Sequence, residues 1–227
     1  MKKYAFTLAE LLMTLGIIGV VAVLTMPGLI KKYQEKETIV KLQKFYSVMS
    51  QAYLSVLQAN GTPDNWALTG NQTADEAQFV GYIKPYLNVA TDCGFNAGCF
   101  PDLVYKRLNG TAAINFLTNS NKRYMMRLAD GSPIAFFVYP QKATGDFGVI
   151  YLDTNGDRPP NQFGKDVFQI MMMQDRLSAG SGVPDTNIYS DCLTNGFACS
   201  AWVIAYDNMD YLHCPNDLSW YGKTSCK

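Results

Sequence analysis

Between Asp153 and Asp166 the chain concentrates oxygen-bearing side chains: Asp153-Thr-Asn155-Gly-Asp157, then Pro159-Pro160-Asn161, then Gly164-Lys-Asp166. Asp, Asn and Asp at alternate positions present oxygens to one side of a tight loop, which is the ligand chemistry of Ca²⁺. Asp153, Asn155, Asp157, Asn161 and Asp166 are therefore candidate calcium ligands. The competing reading is an Asx-rich turn whose side chains bond to their own backbone. Six cysteines, at 93, 99, 192, 199, 214 and 226, are the second chemical set. They allow 15 pairings. No C-x-x-C spacing occurs among them, which argues against a zinc site. The single histidine, His213, excludes multi-histidine metal sites. No nucleophile context of the G-x-S-x-G kind accompanies it, so no catalytic residue is assigned and the chain is not read as an enzyme. The aromatics Trp202, Tyr206, Tyr211, Trp220 and Tyr221 gather near the C-terminus, as core packing or as a surface for a sugar or a protein partner.

The acidic loop is not an EF-hand. Its Gly156 falls at loop position four rather than six, and position twelve carries no Glu.

The elements that must hold these groups follow from composition and pattern. The 227 residues amount to one domain, or one domain with an appendage. Nineteen Lys and Arg balance nineteen Asp and Glu, which disfavours a nucleic-acid binder acting through a basic field. An apolar content of 48% excludes a disordered chain. Part of it lies in one run, Phe6 to Met26, which carries a single charge, Glu10. At 1.5 Å per residue such a run spans roughly 32 Å, one bilayer core. It is too long for a signal-peptide core and lacks a small-residue cleavage site behind it. A plain anchor leaves Glu10 unexplained, because a carboxylate on a spanning helix is costly without a partner.

Ala5-Phe6-Thr7-Leu8-Ala9-Glu10-Leu11-Leu12 resembles the leader junction of type IV pilins and type II secretion pseudopilins, with Ala5 where that family usually has Gly. The resemblance covers about the first 30 residues. It implies cleavage between Ala5 and Phe6 by a prepilin peptidase, methylation of the new amine, and pairing of Glu10 with the amine of a neighbouring subunit. It also implies that Gly16, Gly19 and Pro27 weaken the membrane helix. The expected organisation is a leader over 1–5, a transmembrane and polymerisation helix over 6–28, an amphipathic continuation over 29–59 and a globular head over 60–227. The expected fold is α+β and pilin-like: a long N-terminal helix packed on an antiparallel sheet, with a disulfide-stapled C-terminal region. The implied location is the bacterial inner membrane, then a pilus or pseudopilus, with other pilin or pseudopilin subunits as partners. A head outside the cytoplasm lies in an oxidising compartment, so disulfides are expected, with sequence neighbours paired: Cys93–Cys99, Cys192–Cys199 and Cys214–Cys226. Pilin-like heads carry a comparable Asp/Asn-Gly loop, and some pseudopilins bind calcium in one. The alternative to a filament subunit is a membrane-tethered extracytoplasmic binding or adhesion module that does not polymerise.

Within the second half of the helix Leu42, Phe45, Tyr46, Met49, Ala52, Tyr53, Val56 and Leu57 recur at three- and four-residue spacing, one apolar face. Beyond Asn60-Gly61-Thr62-Pro63 the pattern predicts a short helix within 73–87, a hairpin of Arg123–Ala129 and Ile134–Tyr139 turning at Asp130-Gly131, and strands at Phe147–Leu152, Asp166–Met172 and Trp202–Tyr206.

Overall fold

A computed structural model describes residues 7–118, 122–140, 145–180 and 188–226. The fold is α+β. Helix α1 runs from Leu8 to Asn60 and includes Pro27. The chain divides into two compact units, Met1–Glu37 and Thr38–Lys227. The second unit thus takes in the last part of α1, which the sequence pattern had grouped outside the head.

In the second unit α1 presents the stripe Leu42, Phe45, Met49, Ala52, Tyr53 and Val56 to the core, and all six are buried. The spacing puts them on one side of the helix. The helix ends at Asn60 and Gly61, whose φ of 74° only glycine adopts without strain. Helix α2 (Gln72–Ile83) starts at Asn71, whose side chain accepts from the Ala74 amide, and it runs into a 3₁₀ turn at Pro85. This is the helix expected within 73–87.

Six antiparallel strands follow: β1 (Val89–Gly94), β2 (Tyr124–Leu128), β3 (Pro133–Val138), β4 (Asp146–Asp153), β5 (Val167–Met173) and β6 (Leu177–Ala179). Their order in the sheet is their order in the chain. The β2–β3 hairpin turns at Asp130-Gly131 as expected: Gly131 has φ 87°, and the Asp130 carboxylate accepts from the Ser132 amide. All eight residues of β4 are buried, so the sheet is covered on both faces. One face carries Ile134, Phe136, Ile150, Leu152, Phe168 and Ile170 against α1, α2 and the C-terminal helices. The other carries Met125, Ala135, Val149, Tyr151 and Val167 against Phe100, Tyr105 and Phe116 from the long β1–β2 excursion.

Helix α3 (Ile188–Asn195) and helix α4 (Cys199–Tyr206) complete the chain. The strand expected at Trp202–Tyr206 is instead the end of α4. A five-residue apolar and aromatic run does not distinguish a strand from a buried helical turn. Here Cys199, Ser200, Ala201, Trp202 and Val203 are all buried, as a helix packed into the core on every side requires.

Candidate functional site

Three regions hold the residues singled out by the sequence. The first is the start of α1. Ala5 and Phe6, the expected cleavage point, lie outside the described residues. Thr7 and Glu10 form a reciprocal cap. The Thr7 hydroxyl accepts from the Glu10 amide at 3.2 Å, while Glu10 Oε2 accepts from the Thr7 amide and the Thr7 hydroxyl, each at 2.8 Å. This Thr-x-x-Glu pattern is a capping box, in which two otherwise unpaired helix-start amides are satisfied. The signal stands in the sequence but is masked by the apolar run around it. Beyond it the side chains of Leu8, Leu15, Ile18, Val20, Val23 and Leu24 are exposed, Leu24 to 76%. A Cβ added at Gly16, Gly19 or Gly28 would meet no described atom within 4 Å, so packing within the chain does not require glycine there. The helix is long and apolar enough to cross a membrane, with a mean hydropathy of 2.2 over its most apolar window.

The second region is the acidic loop after β4. Asp153 and Asp166 are both buried, at 0% and 2% exposure. Their oxygens are occupied by donors of the chain itself. Asp153 Oδ1 accepts from the amides of Asn155 and Gly156, at 3.0 and 2.9 Å, and Oδ2 accepts from the Tyr105 hydroxyl at 3.0 Å. Asp166 Oδ2 accepts from the Asn161 amide at 2.7 Å and from Asn155 Nδ2 at 3.1 Å, and Oδ1 accepts from the Gln162 amide at 2.7 Å. Burial, and then the neighbouring Asp166, push the Asp153 carboxyl up to about 7. Burial likewise raises Asp166 above the usual carboxylate range.

Four of the five expected calcium ligands therefore meet in one loop. Asp157 does not join them: it is exposed and reaches Arg127 Nη2 at 3.3 Å. The same guanidinium donates to the carbonyls of Cys99 and Gly131, at 2.7 and 3.1 Å, and so ties the loop to the β2–β3 turn. The side-chain oxygens of Asn155 and Asn161 are buried and have no hydrogen-bond partner among the described residues. No group of three acidic, His or Cys side chains able to hold a metal occurs among the described residues. The carboxylates act as caps of their own loop, which is what an Asx-rich turn does. The backbone amides that fill them were not readable from residue types.

The third set comprises the disulfides and the C-terminal third of the second unit. The disulfides are Cys93–Cys99, Cys192–Cys199 and Cys214–Cys226, the pairing of sequence neighbours expected above. Between Cys192 and Cys199 stands Gly196, with φ 82°, where a Cβ would lie 2.3 Å from the Phe163 carbonyl oxygen. That close approach brings the end of α3 against Phe163 within the acidic loop. The C-terminal aromatics divide between the two readings. Trp202 and Tyr211 are buried core, Trp202 donating to Asn208 Oδ1 at 2.9 Å and Tyr211 to the Gly164 carbonyl at 2.8 Å. Trp220 is half-buried and Tyr221 is 76% exposed. His213 is exposed, on a 3₁₀ turn next to Cys214.

These features define an α+β head stapled by disulfides, with a long apolar helix at its N-terminus. Residues 28–178 match a family of unknown function (DUF6613), and the chain belongs to that family. The matched span starts within α1 and ends in β6. No curated protein and no solved structure matches the chain.

Proposed function

We propose that the chain is a prepilin-like structural subunit of a type IV pilus or a type II secretion pseudopilus, processed by a prepilin peptidase and assembled through its N-terminal helix. The carrying observation is the sequence Phe6-Thr-Leu-Ala-Glu10, whose Glu10 stands in the first turn of a helix that exposes its apolar side chains from Leu8 to Ile30. Such a surface needs a lipid or protein partner outside the chain. A lone carboxylate at its start needs a cationic one once water is excluded. Its role is assembly rather than catalysis, with the head outside the cytoplasm, where disulfides persist.

Mass analysis of the mature N-terminus tests the processing step. A chain beginning at a methylated Phe6 is expected, and a retained Met1 overturns the proposal. Glu10 has two partners to choose between: the local cap in a single chain and the neighbour's amine in a filament. Gln also closes a capping box. Glu10→Gln is thus expected to insert into the membrane with its helix intact and to fail to enter filaments. Normal filaments from that variant would reduce Glu10 to a cap.

A calcium ion in the acidic loop is a second proposal, favoured by the buried side-chain oxygens of Asn155 and Asn161 beside Asp153 and Asp166. Bound there, calcium would offset the repulsion between two buried carboxylates. In the full chain, added Ca²⁺ is expected to raise the unfolding temperature, chelation to reverse the rise, and Asp153→Asn to abolish it. No response to Ca²⁺ leaves the loop as a self-capped turn.

A further inference from the structure

One surface of the head is used neither by the assembly helix nor by the acidic loop. An open groove of about 610 Å³ runs between α3 and the C-terminal loop, lined by Tyr189, Leu193, Trp220 and Tyr221 with Ser190, Thr194 and Ser219. That volume lies within the range of ligand pockets, about 300–1,000 Å³.

Its walls are fixed before any ligand arrives. The Cys192–Cys199 bridge holds α3, and the Cys214–Cys226 bridge closes the loop that carries Trp220. The Trp220 ring packs edge-on against Tyr206 and Trp202, with centroids 5.3 and 5.9 Å apart. Its carbonyl accepts from the Tyr206 hydroxyl. Tyr189 lies 4.8 Å from Trp202, and its hydroxyl donates to the Pro215 carbonyl at 2.8 Å. The Ser219 amide donates to the Lys223 carbonyl at 2.9 Å, which closes the loop tip. Asn208 Nδ2 donates to the Thr224 carbonyl at 3.1 Å and anchors the same segment. With its hydroxyl already engaged, the Tyr189 ring serves as an apolar wall. Ser190, Thr194, Ser219 and Tyr221 stand exposed at the rim.

The composition of the lining selects the ligand. None of the seven lining residues is acidic or basic, so among the described residues phosphate, nucleic acid and strongly charged peptides find no counter-charge. Aromatic faces carry negative quadrupole charge, which attracts the weakly positive C–H face of a pyranose ring. Hydroxyl side chains both donate and accept, matching sugar hydroxyls, which do the same. An apolar peptide would leave the Ser and Thr hydroxyls without partners at the contact, which is costly. Rigid walls also lower the ordering cost of binding. We propose that this groove binds a neutral oligosaccharide, with Trp220 and Tyr221 as stacking platforms and Ser190, Thr194 and Ser219 as hydrogen-bonding partners.

The test uses the full chain in a detergent without a sugar headgroup. It is titrated with neutral and with acidic oligosaccharides of two to four units and with a library of apolar peptides, while tryptophan fluorescence is followed. Binding of at least one neutral oligosaccharide is expected, with Tyr221→Ala weakening it at least tenfold and leaving the unfolding temperature unchanged. Tyr221 is mostly exposed, so this variant folds even if Trp220→Ala does not. Ser190→Ala is expected to weaken binding less. Three outcomes overturn the proposal: no neutral oligosaccharide bound at millimolar concentration, binding unaffected by Tyr221→Ala, or a Tyr221-dependent preference for acidic sugars or for peptides. None of these results bears on whether Glu10 directs assembly, so the two proposals fail separately.

Discussion

From Leu8 to Ile30 helix α1 exposes its leucines, isoleucines and valines, while from Leu42 to Val56 the same helix buries one apolar stripe beside a solvated one. Both stretches are regular helix, so backbone propensity does not separate them. What separates them is where the partner is. In the second stretch the partner is this chain's own sheet: Tyr53 stacks on Phe147 and donates to the Met173 carbonyl at 2.7 Å, and Tyr46 donates to the Leu177 carbonyl at 3.1 Å. The first stretch carries the same kind of side chain without such anchors. An apolar surface of that extent is stable in water only when something else covers it. The difference teaches that hydrophobicity alone does not mark a core, whereas periodicity does.

Large-to-small substitutions on the two sides of this contrast should have unequal effects. Phe136→Ala, in the sheet face beneath the helices, is expected to destabilise the head by about 3–5 kcal/mol. Ile18→Ala in detergent should leave the head's unfolding midpoint where it was. A matching loss from Ile18→Ala in denaturant titrations would break the contrast. Next in size is the Cys192–Cys199 bridge. Its ends are 7 residues apart in sequence. Replacing both with Ser should cost roughly 2.5 kcal/mol by loop-closure entropy, read as a drop in unfolding temperature.

Specific to pH is Glu76 on α2. Burial pushes its carboxyl up from 4.5 to about 8, against the opposing hydrogen bond that Oε2 accepts from the Tyr124 amide at 2.7 Å and the nearby positive charge of Arg123. A carboxyl raised in the folded state binds more protons folded than unfolded. Its contribution is complete below about 4.5 and is lost as pH rises through about 8. Glu76→Gln keeps an acceptor for Tyr124 and should flatten the fall in stability over that interval. An unchanged pH profile would assign the fall to other groups. Smallest is Asp157→Asn at the exposed Arg127 contact, expected to change stability by less than about 1 kcal/mol and to do so only at low salt.

Legibility in the sequence followed the range of the forces involved. The β2–β3 hairpin was readable because Asp130-Gly131 carries its own turn chemistry. Strands β4 and β5 were readable because their apolar runs are bounded by Gly and Asp. The amphipathic half of α1 was readable from spacing alone. Three elements were not: β1, whose Val-Ala-Thr-Asp-Cys-Gly has no alternation, β6, which is only 3 residues long, and α3, whose 8 residues read as loop. Residues 202–206 read as a strand because Trp, Val, Ile, Ala and Tyr are as apolar in a buried helix as in a strand. Of the candidate site, the residue types in the acidic loop were legible. The amides that fill Asp153 and Asp166 were not, since their directions are set by backbone turns that form only in the folded loop.

The order of the strands has a consequence for how the head comes into being. Each strand from β2 onward pairs with the one just made, so most pairings close short loops and carry a small entropic cost. The exception is the helix. The stripe from Leu42 to Val56 meets strands some ninety residues or more later in the chain, Tyr53 packing on Phe147 of β4 and bonding to Met173 of β5. A chain synthesised from the N-terminus therefore presents this stripe bare until the central strands arrive. During that interval its most adhesive surface is a helix without a sheet, and shielding it is a task for whatever accompanies the nascent chain.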